Sequence, residues 1–231
     1  MRAVIPAAGL GTRMLSVTQG TAKELLPLGR ETIIEHVLGI AFEHCDHAVV
    51  VWDLNKGQLP DGIAWVPQMP QRGLAAAIAS GVSTEETNLV LLPDAVFPTG
   101  DPVTEMASMP DVDIVLALSH VSDDDVSKYG VCEIDPDGWV TKMLEKPSAA
   151  DTLSRWAITG RYRLSPVAAE LLVTMVSESP IGGPEIDMSP YFALALNQGL
   201  KIAGCFLDES CHRFDCGDPE GYREAAEYFK Q

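Results

Sequence analysis

Short runs of β-branched and other apolar residues alternate with amphipathic segments along almost the whole chain, and this alternation constrains the fold most. Such runs predict buried strands, and apolar residues three and four positions apart predict helices. Predicted strands cover 2–7, 47–52, 62–67, 88–94, 113–118, 157–164 and 201–207. Predicted helices cover 31–44, 72–82, 165–176, 188–199 and 218–229. The order predicts an α/β fold of the doubly wound, Rossmann-like type, with helices on both faces of a mostly parallel sheet.

Two further apolar runs, 130–135 and 138–144, flank the turn-forming letters "PDG" and predict a hairpin. A hairpin would make the sheet mixed rather than purely parallel. No internal repeat and no Ser/Pro-rich linker interrupts the 231 residues. We interpret the chain as one domain, with residues 1–110 as the nucleotide-binding half and 111–231 as the substrate-binding half.

The net charge of -17, from 33 acidic and 16 basic residues, argues against nucleic acid or an anionic membrane as a partner. It does not argue against a phosphorylated substrate, which needs only local cations. No apolar run reaches the length of about 18 residues that a membrane span needs, and the N-terminus lacks a secretory signal. Five cysteines without a Cys-x-x-Cys pair predict free thiols. We therefore expect a cytoplasmic protein.

The loop after the first predicted strand contains Gly9 and Gly11. A dinucleotide-binding loop would have a third glycine where Met14 stands, and a P-loop would continue with Gly-Lys-Ser or Gly-Lys-Thr. What remains is a loop whose backbone N–H groups can approach an anion, with the planar guanidinium of Arg13 and the ammonium of Lys23 as two cations. This pattern suits a triphosphate that is cleaved; a glycine turn with two surface cations stays an alternative.

The segment "GLGTRM…T…AKELLPLG" resembles the signature of the sugar-phosphate nucleotidyltransferases, nearest to those that act on glucose 1-phosphate with uridylyl or thymidylyl transfer. Further segments follow in that family's order, so the resemblance extends from residue 3 to about residue 229. These segments are "QMPQRGLAAAI", "LLPDAVF", "KYGVCEID", "MLEKP", "AITGRY", "PEIDMSPYFALAL" and "FDCGDPEGYREAAEYF".

The resemblance implies a role for individual residues. It gives catalytic roles to Arg13, Lys23 and Lys146. It implies nucleotide binding by Ala8, Gly9, Gly11, Thr12, Gln68 and Gly73. It implies sugar binding by Gly130, Glu145, Ile158, Thr159 and, more weakly, Glu185. It implies Mg²⁺ as the cofactor, held by Asp94 and Asp215.

The implied reaction joins UTP or dTTP to a sugar 1-phosphate, with glucose 1-phosphate expected, and gives a nucleoside diphosphate sugar and pyrophosphate. Gln68 can offer a donor and an acceptor to a base edge, but uracil and thymine expose the same imide edge. Cytidylyl or guanylyl transfer to another phosphorylated sugar or alcohol is an alternative. A nucleotide-binding homologue without catalysis is another, against which the joint presence of the cations and carboxylates argues. The sugar, the pathway and the oligomeric state, including a homo-oligomer, stay open.

Overall fold

The computed structural model describes residues 1–68, 72–109, 112–180, 182–208 and 210–230. The strands are β1 (Arg2–Pro6), β2 (Pro27–Leu28), β3 (Glu31–Thr32), β4 (His47–Trp52), β5 (Trp65–Pro67), β6 (Asn88–Leu91), β7 (Ala95–Thr99), β8 (Ile114–His120), β9 (Gly130–Ile134), β10 (Val140–Glu145), β11 (Trp156–Leu164), β12 (Ile202–Phe206) and β13 (His212–Asp215). The helices are α1 (Leu15–Thr18), α2 (Ile33–His44), α3 (Leu74–Gly81), α4 (Val103–Ser108), α5 (Pro166–Glu178), α6 (Met188–Asn197) and α7 (Pro219–Tyr228).

The central sheet has nine strands, ordered β10-β9-β11-β6-β1-β4-β5, with β8 added beside β11 and β12 added beside β8. Strand β1 pairs in parallel with β4 and β6, whereas β11 is antiparallel to β6, β8 and β9. Every strand of this sheet except β10 and β11 therefore runs in one direction. The predicted α/β fold with a mixed, mostly parallel sheet and a late hairpin is confirmed.

On one of its edges, strand β11 pairs with two different strands along its length. Residues 156–157 pair with β9, and residues 161–164 pair with β6. Strand β8 pairs with both ends of β11, with a register shift between Ile158 and Tyr162. Because β8 occupies one edge of β11, strands β9 and β6 share the other edge and separate opposite the interruption. Gly160, at φ +83°, lies in this gap.

Alternate residues of β1 face the two halves of the core, as the period of two in a strand requires. Val4 packs into the cluster that includes the buried residues of α3, α5 and α6. Ala3 and Ile5 pack into the opposite cluster, which includes the buried face of α2. Both faces of the parallel strands are thus covered, and their carboxyl ends are left to form the site.

Local capping explains where several helices begin. Thr32 and Glu35 form a reciprocal capping box at the start of α2. Ser165 accepts a hydrogen bond from the first turn of α5, and Asp218 does the same for α7. A proline follows each of these two caps at a position where its missing N–H costs nothing. The cap at Asp218 fixes the chain directly after Asp215.

Several elements differ from the sequence-based expectation. Strands β7 and β13 and helix α4 were not predicted, and β5 begins at Trp65 rather than at residue 62. Gly62 has φ +86°, which is not a strand conformation, so the strand begins later than predicted. All five cysteines are free, as predicted. Among the residues described, no helix combines the length and the apolar character that a membrane crossing requires.

Candidate active site

Two adjoining cavities open at the carboxyl ends of the parallel strands, where ligands bind in open α/β sheets. The loop cavity, of about 430 Å³, lies beside the glycine loop after β1 and the start of α3. Its lining includes Gly9, Gly11, Thr12, Arg13, Lys23, Glu24, Gln68, Gly73, Glu185 and Gly217. The hairpin cavity, of about 240 Å³, lies beside the β9–β10 hairpin. Its lining includes Lys128, Tyr129, Gly130, Glu145, Lys146, Ile158, Thr159, Ser189, Arg213 and Asp215.

The two cavities share four lining residues, namely Leu74, Leu92, Asp94 and Asp187. The structure thus brings together fifteen of the sixteen residues assigned from the resemblance. Ala8 is fully buried and lines neither cavity. Glu185, assigned to the sugar, lines the loop cavity instead of the hairpin cavity. Asp94, expected at the end of a strand, lies in the turn between β6 and β7.

A two-stranded ribbon places the two predicted metal ligands side by side. Strand β13 pairs antiparallel with β7, so that Asp215 stands opposite Ala95. The Cys216 N–H also donates to the Asp94 carbonyl at 2.7 Å. A methyl group placed on Gly217 would lie 2.8 Å from Asp215 Oδ1, 3.2 Å from Asp94 Oδ2 and 3.4 Å from Arg13 Nη2. These three side chains therefore surround one point at the mouth of the site.

The donor set at this point suits a small divalent cation. Mg²⁺ is commonly held by one or two carboxylates, with phosphate oxygens and water completing an octahedron. In the described part of the chain, no group of three or more His, Cys, Asp or Glu residues could hold a metal ion. A cation between Asp94 and Asp215 would therefore depend on substrate oxygens for much of its coordination.

Lys23 and Asp94 form an ion pair of 2.8 Å. Desolvation opposes ionisation of Asp94, but the Lys23 ammonium outweighs it and holds the pKa of the carboxyl below its ordinary value. Desolvation likewise opposes the charge on Lys23, but Asp94 raises the pKa of the ammonium overall. The stem of Lys23 packs 3.4 Å from the position of a Cβ on Gly11, which has φ +62°. A residue with a side chain at Gly11 would therefore strain the loop through its backbone conformation.

Gln68 is buried beside the N-terminus of α3. Its Nε2 donates to the carbonyl of Gly73 at 3.1 Å, and Gly73 has φ +91°. A Cβ on Gly73 would collide with the backbone of Ile186 at 2.6 Å. The glycine thus allows residues 185–186 to close over the helix start and fixes the direction of the Gln68 amide.

Lys146 has an unusual backbone in the hairpin cavity. Its φ is +45°, a left-handed conformation that costs a residue with a Cβ about 1–2 kcal/mol. The Lys146 N–H donates to the Tyr129 carbonyl at 3.1 Å, and Pro147 follows. Nearby, Ser189 Oγ donates a short hydrogen bond to Glu145 Oε2. The Thr159 hydroxyl donates to the Ala117 carbonyl at 3.1 Å.

Sequence reasoning missed several residues of the site. Asp187 borders both cavities, and Tyr129 and Arg213 line the hairpin cavity. Arg213 lies one residue before the segment that supplies Asp215, on a strand that the sequence does not predict. Lys56, which donates to the Ala7 and Gly9 carbonyls at 2.7 and 2.8 Å, had no recognisable sequence signal.

Comparisons with known proteins agree with this geometry. The chain matches the nucleotidyl transferase family ("Nucleotidyl transferase") over residues 2–231. It is 28% identical to a UTP–glucose-1-phosphate uridylyltransferase of Haemophilus ducreyi, covering 97% of this chain and 91% of that protein. It is 29% identical to the enzyme of the same name from Pseudomonas aeruginosa, covering 97% and 94%.

A crystal structure of UDP-glucose pyrophosphorylase complexed with UDP-glucose superposes with a TM-score of 0.83. That match covers 99% of this chain and 97% of the other, at 27% identity. Because the family match spans nearly all residues, including both cavities, the chain belongs to the nucleotidyl transferase family.

Proposed function

We propose that the protein transfers the nucleotidyl group of UTP or dTTP to a hexose 1-phosphate, foremost glucose 1-phosphate, and releases pyrophosphate. The observation that carries this proposal is the meeting of the two cavities at Asp94, with Arg13 and Lys23 on one side and Lys146 on the other. Residues before about 110 contribute most of the loop cavity, so we assign the triphosphate to it. We assign the sugar phosphate to the hairpin cavity.

The reaction needs positioning and charge more than proton transfer. Its nucleophile is a phosphate oxygen that is already anionic, so no general base is required. The difficulty is to bring two polyanions together and to stabilise the leaving pyrophosphate. Arg13 and Lys23 supply positive charge on the triphosphate side, and Lys146 supplies it on the sugar-phosphate side. Their placement on opposite sides of Asp94 supports transfer between the cavities.

Asp94 and Asp215 would hold the Mg²⁺ ion. When bound, the ion neutralises charge on the phosphate oxygens and orients them. The chain itself contributes the ribbon of β7 and β13, which fixes the two carboxylates, and Gly217, which leaves the space between them open.

Gln68 can pair with a base that has an N–H beside a carbonyl on its pairing edge. One N–H of its Nε2 is committed to the Gly73 carbonyl, which leaves Oε1 to accept a hydrogen bond and the second N–H to donate one. Uracil and thymine have such an N–H at N3, whereas cytosine has an acceptor there. A methyl group in an apolar pocket changes binding by only about 1–3 kcal/mol, so we expect both UTP and dTTP to be used. The names of the relatives, which act on UTP and glucose 1-phosphate, support the same choice.

A pyrophosphate-release panel tests the proposal. UTP, dTTP, CTP, GTP and ATP are each combined with several sugar 1-phosphates, with Mg²⁺ and with EDTA. We expect Mg²⁺-dependent release with UTP or dTTP and glucose 1-phosphate. The Asp94→Asn/Asp215→Asn double variant, purified identically, controls for contaminating activity. Release with CTP alone would overturn the base assignment, and no release with any pair would overturn the proposal.

A further inference from the structure

Arg213 lines the hairpin cavity from strand β13. It lies on β13 two residues before Asp215, and both side chains line the cavity. The register of β13 against β7 shifts at this residue, because His212 pairs with Thr99 while Phe214 pairs with Val96. Two residues of β7 therefore stand opposite Arg213 alone. Bulges of this kind occur beside active sites, where they redirect a side chain.

The charge of Arg213 is unusual in its surroundings. Within the described residues, its guanidinium forms no ion pair and instead lies 5.4 Å from the centre of the Tyr129 ring. Its Nη2 approaches the Tyr129 hydroxyl at 3.4 Å. Two lysines near the site are paired, Lys23 with Asp94 and Lys128 with Asp125 at 2.6 Å. In a chain of net charge -17, a guanidinium that faces a cavity without a carboxylate partner indicates an anionic ligand.

We propose that Arg213 binds the phosphate of the sugar 1-phosphate together with Lys146. This inference rests on the proposed function and adds a residue to it. The guanidinium offers two parallel N–H donors that match two phosphate oxygens, which a lysine cannot do. The cavity holds only about 240 Å³, so a hexose phosphate that fills it reaches both cations. Tyr129 is a positioning residue, because its ring fixes the plane of the guanidinium.

The test compares Arg213→Gln with Lys142→Gln. Lys142 lies on β10 of the same hairpin, is paired with Glu133 and lines neither cavity, so its variant loses the same charge outside the site. For Arg213→Gln we expect KM for glucose 1-phosphate to rise about 10- to 100-fold, because a charge-assisted phosphate contact is lost. We expect KM for the triphosphate to stay within about twofold. Arg213→Lys keeps the positive charge but loses the two parallel N–H donors. We expect its KM for glucose 1-phosphate to lie between those of the wild type and of Arg213→Gln.

Thermal melting with added inorganic phosphate gives a second readout that does not depend on turnover. Phosphate should raise the melting temperature of the wild-type protein and of Lys142→Gln more than that of the Arg213 variants. Tyr129→Leu should raise KM for glucose 1-phosphate several-fold, and Tyr129→Phe should raise it less. An unchanged KM for glucose 1-phosphate in both Arg213 variants, with an active wild type, overturns this inference alone. A wild type that is inactive with every pair of substrates overturns the proposed function instead.

Discussion

The ammonium of Lys56 lies 2.6 Å from Glu24 Oε2, and the two side chains are only 8% and 1% exposed. The same ammonium donates to the Ala7 and Gly9 carbonyls, so each of its three N–H groups has an acceptor. It also lies 4.8 Å from the centre of the Trp52 ring. One buried charge therefore joins the glycine loop, the turn that carries Lys23 and the end of β4.

Replacing Lys56 with methionine should destabilise the protein strongly, because Glu24 would be left buried without its partner. Loss of one member of a buried pair costs about 3–5 kcal/mol in unfolding free energy. Urea denaturation followed by circular dichroism measures this loss. Lys56→Met/Glu24→Gln removes both charges and should recover part of it. A single variant with wild-type stability would show that the pair contributes nothing.

Gly217→Ala should lower activity while the fold is kept. The added methyl would stand 2.8 Å from Asp215 Oδ1 and 3.2 Å from Asp94 Oδ2, so the Asp215 carboxylate must move and that of Asp94 must give way slightly. We expect at least about a tenfold higher Mg²⁺ concentration for half-maximal rate, since the ligand geometry for Mg²⁺ is strict. Gly39→Ala is the matched control, because Gly39 lies within α2 with no atom near its Cβ position. That control should gain about 0.5–1 kcal/mol of stability and keep its activity.

Arg13→Ala and Lys146→Ala should each reduce turnover at saturating substrates by about 100- to 1,000-fold. Both remove a positive charge from the place where the transferring phosphate is expected, and donors of this kind typically contribute that factor. Single-turnover rates with saturating triphosphate and glucose 1-phosphate measure the effect. Arg30→Ala removes an exposed arginine that lines neither cavity and should leave the rate unchanged. Near-normal turnover in either variant would remove that residue from the mechanism.

The ion pair of Asp94 and Lys23 should make stability depend on pH in the acid range. Because Lys23 outweighs desolvation, the pKa of Asp94 is lower in the folded protein than its ordinary value near 3.8. Near and below that value the unfolded chain binds more protons at this carboxyl than the folded chain does. The contribution of the ion pair to the unfolding free energy is therefore complete well above the unfolded pKa and is lost as the pH falls through the folded pKa.

Urea unfolding between pH 5 and pH 3 measures this dependence in wild type and in Asp94→Asn. The unfolding free energy of the wild type should fall more steeply with acidification than that of Asp94→Asn. Asp61→Asn, which changes an exposed aspartate that lines neither cavity, should follow the wild-type slope. Parallel curves for Asp94→Asn and wild type would contradict the prediction.

The main strands and helices could be predicted from the sequence because each shows a clear pattern of apolar residues. Val49 to Trp52, for example, lies in a continuous apolar run that only a buried strand explains. The ribbon of β7 and β13 could not be predicted in this way. Pro98 lies in the bulge of β7, and β13 has only four residues, so neither strand shows the alternation that identifies a strand.

The grouping of the candidate residues could be predicted where a motif supplied them and could not be predicted where tertiary contacts did. The resemblance led to Asp94 and Asp215, which are 121 positions apart, because both stand in recognisable segments. Lys56 and Arg213 stand in no such segment. Their importance depends on burial against Glu24 and on stacking against Tyr129, which only the folded chain reveals.

The shared edge of β11 has a consequence for dissecting this protein. Strand β6 belongs to the first half of the chain, yet one of its edges is hydrogen-bonded to β11 of the second half. A fragment that ended near residue 110 would present that row of unsatisfied amides and carbonyls to any other strand in solution, and self-association would follow. The two halves of the chain are thus hydrogen-bonded to each other through β6 and β11, and we expect them to unfold together.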